Sequence, residues 1–267
     1  MPVEAVTDLE RGSQYDLIII NHNTCLAQAQ VWGLQGPKVF TSHGPIHPLE
    51  QAHGGADYYV AVSEEVRVVM AERNICEGCG HTHIPRHMDV IRQPIDLDLY
   101  RPQEKTRNIL IMPKYAEAVE AAAQACEGMD YDIAHYKLNP VDNLHEEMGK
   151  YKVVITAGRG AVEAMACGCQ VMIYNGPGRL DGWVTPENVG VMAQVNYSGR
   201  CFRVESDIET LRRGMLEVWP DEDLRPWVEE NHDAAKVAAR YLRYAQMEVS
   251  HAGEEAEESE SCVEAVA

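Results

Sequence analysis

Short apolar runs alternate with amphipathic stretches along this chain, and the alternation comes in two successive series. In the first, residues 15–21 (Tyr-Asp-Leu-Ile-Ile-Ile-Asn) form an apolar run bounded by polar residues, the pattern of a buried parallel strand. A helical stretch over Leu26 to Leu34 follows and is stopped by Gly36-Pro37. Lys38 to Thr41 predict a second strand, His43-Gly44-Pro45 a loop at its carboxyl end, and the residues beyond a second helical stretch. Asp57 to Val62 predict a third strand. Ser63 then caps a helix with Glu64 and Glu65 in its first turn, where carboxylates complement the helix dipole, and with Val66, Val69 and Met70 as its buried stripe. Met88 to Arg92 predict a fourth strand, and Gln93-Pro94-Ile95-Asp96 lead out of the series.

The second series opens with a strand over Asn108 to Met112 and an alanine-rich helix over Ala116 to Cys126. Tyr131 to His135 predict a strand, and Asn139-Pro140 a helix start, with Asn as cap and Pro at the first helical position. Lys152 to Thr156 predict a strand, Ala161 to Cys167 a helix ended by Gly168, and Gln170 to Tyr174 another strand. Two such series define an α/β protein of two Rossmann-like parallel-sheet domains. The segment from Tyr100 to Arg107 is charged, contains Pro102 and has no periodicity, so the expected domains are 1–103 and 104–249. After Asp207 the pattern is mostly helical, and 250–267 read as an acidic disordered tail, a solubilising extension or an interaction tail.

The 267 residues suffice for two moderate cores, and 45% hydrophobic with 24% charged residues is ordinary for a globular protein. No run approaches the roughly 20 apolar residues of a spanning helix, and the acidic start Met1-Pro2-Val3-Glu4 lacks the order of a signal peptide, so a cytoplasmic location is expected. The net charge of −19 and the absence of any basic run argue against nucleic acid or anionic lipid as a partner. A homo-oligomer is compatible with this composition. Eight cysteines are too few for a disulfide scaffold at this length.

Candidate chemistry concentrates between a strand and a helix, at Thr156-Ala157-Gly158-Arg159-Gly160. Ligands of open α/β sheets bind at the carboxyl ends of strands. Gly158 and Gly160 would let backbone N–H groups approach a phosphate, with the helix N-terminus adding a favourable dipole. Arg159 offers two hydrogen bonds to phosphate oxygens, and Glu163, one turn into the helix, is placed to accept from ribose hydroxyls. The same spacing also fits a tight turn whose glycines serve packing and whose Glu163 is a solvated surface residue.

The stretch Gly-Arg-Gly-Ala-Val-Glu-Ala-Met-Ala-Cys-Gly (158–168) resembles the donor-site signature of the large retaining glycosyltransferase family with double-Rossmann GT-B architecture (glycosyl transferases group 1, family 4-like). Three further stretches agree in order: Tyr59-Val60-Ala61-Val62-Ser63, Val90-Ile91-Arg92-Gln93-Pro94-Ile95-Asp96 with Tyr100-Arg101-Pro102, and Gly182-Trp183-Val184-Thr185-Pro186-Glu187-Asn188. The match covers roughly 15–200, and several segments in order are more specific than one motif. The resemblance implies two domains facing across a cleft and transfer of a sugar from a nucleotide-diphosphate sugar to an acceptor hydroxyl, with retention. It implies that Glu163 binds the ribose, that Lys114 lies against the diphosphate, and that His43 faces the acceptor, leaving the donor sugar, base and acceptor unnamed. No cofactor is required for such chemistry. The family's second Glu, eight residues before the ribose-binding one, is Ile155 here. The loop Asn175 to Gly182 is then left to hold the sugar, with Gly182 among the binding residues. Tyr15-Asp16-Leu17 resembles a strand midway through the usual first domain, so that domain is expected to be abbreviated. A sugar-nucleotide epimerase of the same architecture and a degenerate, non-catalytic binding module are the alternatives.

One cluster stands apart. Cys76, Cys79, His81 and His83, with His87 nearby, have the spacing of a zinc knuckle between a helix and a strand, and equally that of a polar loop with two free thiols. A zinc there would be structural.

Overall fold

The computed structural model describes residues 10–51, 54–73, 88–202 and 206–247. The chain divides into two compact units, Met1–Ile91 with Ala239–Ala267, and Arg92–Ala238. Each contains one sheet.

The first unit has four parallel strands in the order β1-β2-β3-β4: β1 (Ile18–Ile20), β2 (Lys38–Ser42), β3 (Tyr58–Ala61) and β4 (Asp89–Val90). Helices α1 (Asn23–Val31) and α2 (Glu64–Arg73) cover one face, where Leu26, Ala29, Val66 and Met70 pack on Ile20, Phe40, Tyr59 and Ala61. The predicted cap is present, with Ser63 Oγ accepting from the Val66 amide at 3.4 Å. The opposite face carries Val39, Thr41, Tyr58 and Val60. It is met by the returning segment 239–247: Tyr241 Oη lies 3.0 Å from Thr41 Oγ1, and the Tyr244 and Tyr58 rings are 4.9 Å apart. Tyr244 also donates to Asp89 Oδ2, and Arg240 to the Val90 carbonyl. After β2 the expected helix is a single 3₁₀ turn, Pro48–Glu50.

The second unit has a five-stranded sheet in the order β6-β5-β7-β8-β9: β5 (Arg107–Ile111), β6 (Tyr131–Ile133), β7 (Tyr151–Thr156), β8 (Gln170–Tyr174) and β9 (Leu180–Trp183). The first four are parallel and β9 is antiparallel to β8. Both faces are buried, which is why these strands read as continuous apolar runs. On one face Ile109, Ile111, Val153, Ile155 and Met172 pack under α3 (Ala116–Ala125) and α7 (Ile208–Leu216). On the other, Leu110, Val154, Val171 and Ile173 pack under α4 (Leu144–Met148), α5 (Arg159–Ala166), α6 (Val189–Gln194) and α8 (Arg225–Asn231). Helix α9 (Ala234–Leu242) leads back to the first unit.

Further expectations shift, and one is the placing of 239–247 in the second domain, since that segment groups with the first unit. The segment after Ile91 belongs with the second unit, because the Ile95 amide donates to the His232 carbonyl at 2.7 Å and Ile95 is fully buried in that core. Asn139-Pro140 does not start a helix. His135 and Asn139 exchange both backbone hydrogen bonds at 2.9 Å, which closes a tight loop, and the helix waits until Leu144. The antiparallel β9 falls within a segment that the alternation leaves as loop. The acidic tail 250–267 lies outside the described residues. Among the described residues no helix is long and apolar enough to cross a membrane.

Candidate functional site

In the second unit the chain runs from β5 to β6 on one side of β5, and from β7 to β8 on the other side. The connections leaving β5 and β7 therefore diverge, α3 to one face of the sheet and α5 to the other. A crevice opens at such a switch point, outside the carboxyl ends of the strands. Its two walls are the loop Met112 to Tyr115 and the loop Thr156 to Gly160.

The second loop is shaped by two glycines with different duties. Gly158 is the N-cap residue of α5 at φ 63° and ψ −135°, a conformation L side chains rarely adopt, and its amide donates to the Tyr197 carbonyl at 2.8 Å. A Cβ there would meet nothing within 4 Å, so the approach is open. A Cβ at Gly160 would lie 2.6 Å from Thr156 Oγ1 and 3.0 Å from Met112 Cε, which makes Gly160 a residue of close helix–strand contact. No side chain caps α5; the Ala161 amide donates to the Gly158 carbonyl at 3.1 Å, which leaves the Arg159 and Gly160 amides, without a partner among the described residues, for a ligand or solvent.

Arg159 and Glu163 pair across one turn, Nε donating to Oε1 at 2.8 Å. The Arg159 side chain is 56% exposed and that of Glu163 only 11%, so Glu163 is held inward rather than solvated. Burial and the adjacent Glu163 carboxylate push the Tyr100 phenol up to about 12. Ile155 is fully buried in the core under α3, so it adds packing to this region and no polar group.

Lys114, on the facing wall, is exposed, and its loop is fixed by groups from two other strands. Its amide donates to Asn175 Oδ1 at 3.2 Å, and its carbonyl lies 3.1 Å from His135 Nε2. His135 Nδ1 accepts from the Lys137 and Leu138 amides, so Nε2 carries the proton and donates. Lys114 Nζ and the Arg179 guanidinium lie 6.0 and 5.4 Å from the centre of the Tyr115 ring. Asn175, His135, Tyr115, Arg179 and Tyr197 thus join the site without a motif to announce them. Only their places after β5, β6 and β8, or beside Gly158, could have marked them.

Gly182 sits on edge strand β9 opposite Ile173, at φ 81°, with open space where a Cβ would be. It is level with Thr156 but on the far side of β8. His43 belongs to the first unit, at the carboxyl end of β2, with Nε2 3.2 Å from Asn21 Oδ1. Cys76, Cys79, His81 and His83 lie outside the described residues. Among the described residues, no group of three His, Cys, Asp or Glu could hold a metal ion. A cavity of about 240 Å³ lies beside β6 in the second unit, lined from Arg107 and Tyr151 at the amino ends of β5 and β7 to Ala134 and Asn139 beyond the carboxyl end of β6, and Arg107, Tyr151 and Asp132 hydrogen-bond one another there.

The two sheets and their covering helices define an α/β protein with Rossmann-like parallel sheets. No protein-family model matches this sequence, and no curated protein matches it. Among solved structures the chain is similar to the pneumococcal O-GlcNAc transferase GtfA, in complex with UDP and GlcNAc. The TM-score is 0.48 and the sequence identity 12%, over 91% of this chain and 58% of that one. The chain therefore matches little more than half the length of that structure.

Proposed function

We propose that the chain is a glycosyltransferase that takes its sugar from a nucleoside-diphosphate donor held at the carboxyl ends of β5 and β7. The observation that carries this reading is the switch point itself. The uncapped start of α5 and the open approach over Gly158 lie on one wall, and Lys114 on the other. Backbone amides and a nearby cation are what a diphosphate requires. The sugar-transfer part of the reading comes from the resemblance of residues 158–168, and so does retention of the anomeric configuration.

In the proposed reaction the bond from the anomeric carbon to the diphosphate breaks as the acceptor oxygen bonds to that carbon. Negative charge gathers on the departing diphosphate. Lys114, Arg159 and the amides of Arg159 and Gly160 stabilise it, an electrostatic effect of roughly 3–4 kcal/mol for a single well-placed donor. Arg159 reaches phosphate by turning from Glu163, which then has a carboxylate oxygen available for the ribose. By the same resemblance, His43 is the proposed acceptor-side group.

The test is a thermal-shift and turnover screen with UDP-, ADP-, GDP- and TDP-hexoses. A bound donor at 100 times its dissociation constant adds about 2.7 kcal/mol of stability. Glu163→Ala and Arg159→Ala are each expected to weaken donor affinity tenfold or more; wild-type affinity in both would remove this site. Released nucleoside diphosphate supports transfer, whereas an epimerised sugar nucleotide, or binding with no turnover, would overturn it.

A further inference from the structure

We propose that Arg179 is a further cation of the diphosphate site, acting with Lys114 across the Tyr115 ring; this rests on the donor-site reading above.

Among the described residues Arg67, Arg107, Lys150, Arg159 and Arg225 pair with a carboxylate. What sets Lys114 and Arg179 apart from the other cations is a shared aromatic partner at the switch point. Among the described residues neither forms a salt bridge, and both instead converge on one aromatic ring at the switch point. Arg179 also donates to Tyr115 Oη at 3.3 Å. A ring face attracts a cation far less than a phosphate does, so this pair is held in place without being neutralised. Arg159, by contrast, is already paired with Glu163.

The position of Arg179 is built. Its carbonyl accepts from the Asn175 amide at 2.9 Å and its amide donates to the Gly176 carbonyl at 3.0 Å, closing a tight loop after β8. Asn175, which starts that loop, is the residue that holds the Lys114 amide. Gly199 presses on the Arg179 backbone so closely that a Cβ there would overlap the Arg179 carbonyl oxygen. Two residues earlier, Tyr197 receives the Gly158 amide. The segment Asn196 to Gly199, with φ of 53° at Asn196, 52° at Tyr197 and 79° at Gly199, thus sets both the Gly158 turn and Arg179. One short strained stretch keeps the phosphate loop and Arg179 in register.

The experiment titrates UDP, ADP and GDP, each also as monophosphate and nucleoside, into wild type, Arg179→Ala and Arg179→Lys. Arg179→Ala is expected to lose at least tenfold in affinity for the diphosphate that binds best. Affinity for the matching nucleoside should stay within twofold, with Arg179→Lys between the two proteins. Unchanged diphosphate affinity in Arg179→Ala, or an equal loss for nucleoside and diphosphate with a wild-type thermal transition, would overturn the assignment. If Arg179→Ala does not fold, Arg179→Lys decides: a loss confined to the diphosphate supports the role, and none overturns it. A protein that binds diphosphate through Arg179 but transfers no sugar would leave this inference standing and sink only the transferase reading. Absence of any nucleotide binding to wild type would sink both.

Discussion

A methyl group added at Gly160 would press on Thr156 Oγ1 and Met112 Cε, while one added at Gly158 would meet open space in a backbone conformation that disfavours it. The two substitutions should therefore fail differently. Gly160→Ala is expected to cost about 1–3 kcal/mol by overpacking, and Thr156→Ala in the same chain should return part of it, a coupling that urea unfolding of the four proteins of the cycle would measure. Gly158→Ala should cost a similar amount, on the order of 1–3 kcal/mol from backbone strain, with no recovery from Thr156→Ala. The sequence shows both glycines between a strand and a helix, and spacing alone cannot say which one faces a ligand. It marks Glu163 too, but not that Arg159 holds its carboxylate or that Tyr100 lies beside it. Lys114 is legible as the cation after a strand. Asn175, its amide's partner 61 residues away, is set by tertiary contact and leaves no local trace.

Among elements, the parallel strands of the second unit are the most legible, because burial on both faces writes them as uninterrupted apolar runs. Turns are the least. Asn139-Pro140 carries a good helix-start signature, yet the reciprocal pairing of Asn139 with His135 uses its backbone first, and α4 begins only at Leu144. The junction of α8 and α9 was equally silent in the sequence. His232 there is 1% exposed; Nδ1 lies 2.9 Å from the Gln93 carbonyl, and Nε2 has no hydrogen-bond partner among the described residues. Burial, aided by the Arg92 charge, lowers its pKa from 6.5 to about 4. The unfolded chain therefore takes up a proton between those values that the folded chain refuses. Stability is fully present above about pH 6.5 and falls as pH drops towards 4, by up to about 3 kcal/mol. His232→Gln should flatten that part of the curve, measured by urea midpoints from pH 4 to 7; an unchanged slope would show that other groups set it.

At the scale of the molecule, the first unit is built from two stretches of chain, with the whole second unit lying between them. The face of its sheet that bears Thr41 and Tyr58 is closed by Tyr241 and Tyr244, and β4 is tied to the same segment through Asp89 and Val90. Ending the chain at Ala238 should strip that cover. Amide exchange is expected to rise at least tenfold in β2, β3 and β4 while β5, β7 and β8 stay protected; equal protection in both sheets would refute the dependence. The hydrophobic pattern reveals two sheets, but the return of the chain to the first is written only in a few tyrosines of a helical stretch, which pattern reading assigns to their sequence neighbours. During synthesis this order has a consequence. The strands of the first sheet leave the ribosome early, yet the residues that seal one of its faces follow roughly 150 positions later, so the inserted unit can complete its core while the surrounding one still waits, its apolar face open to chaperones.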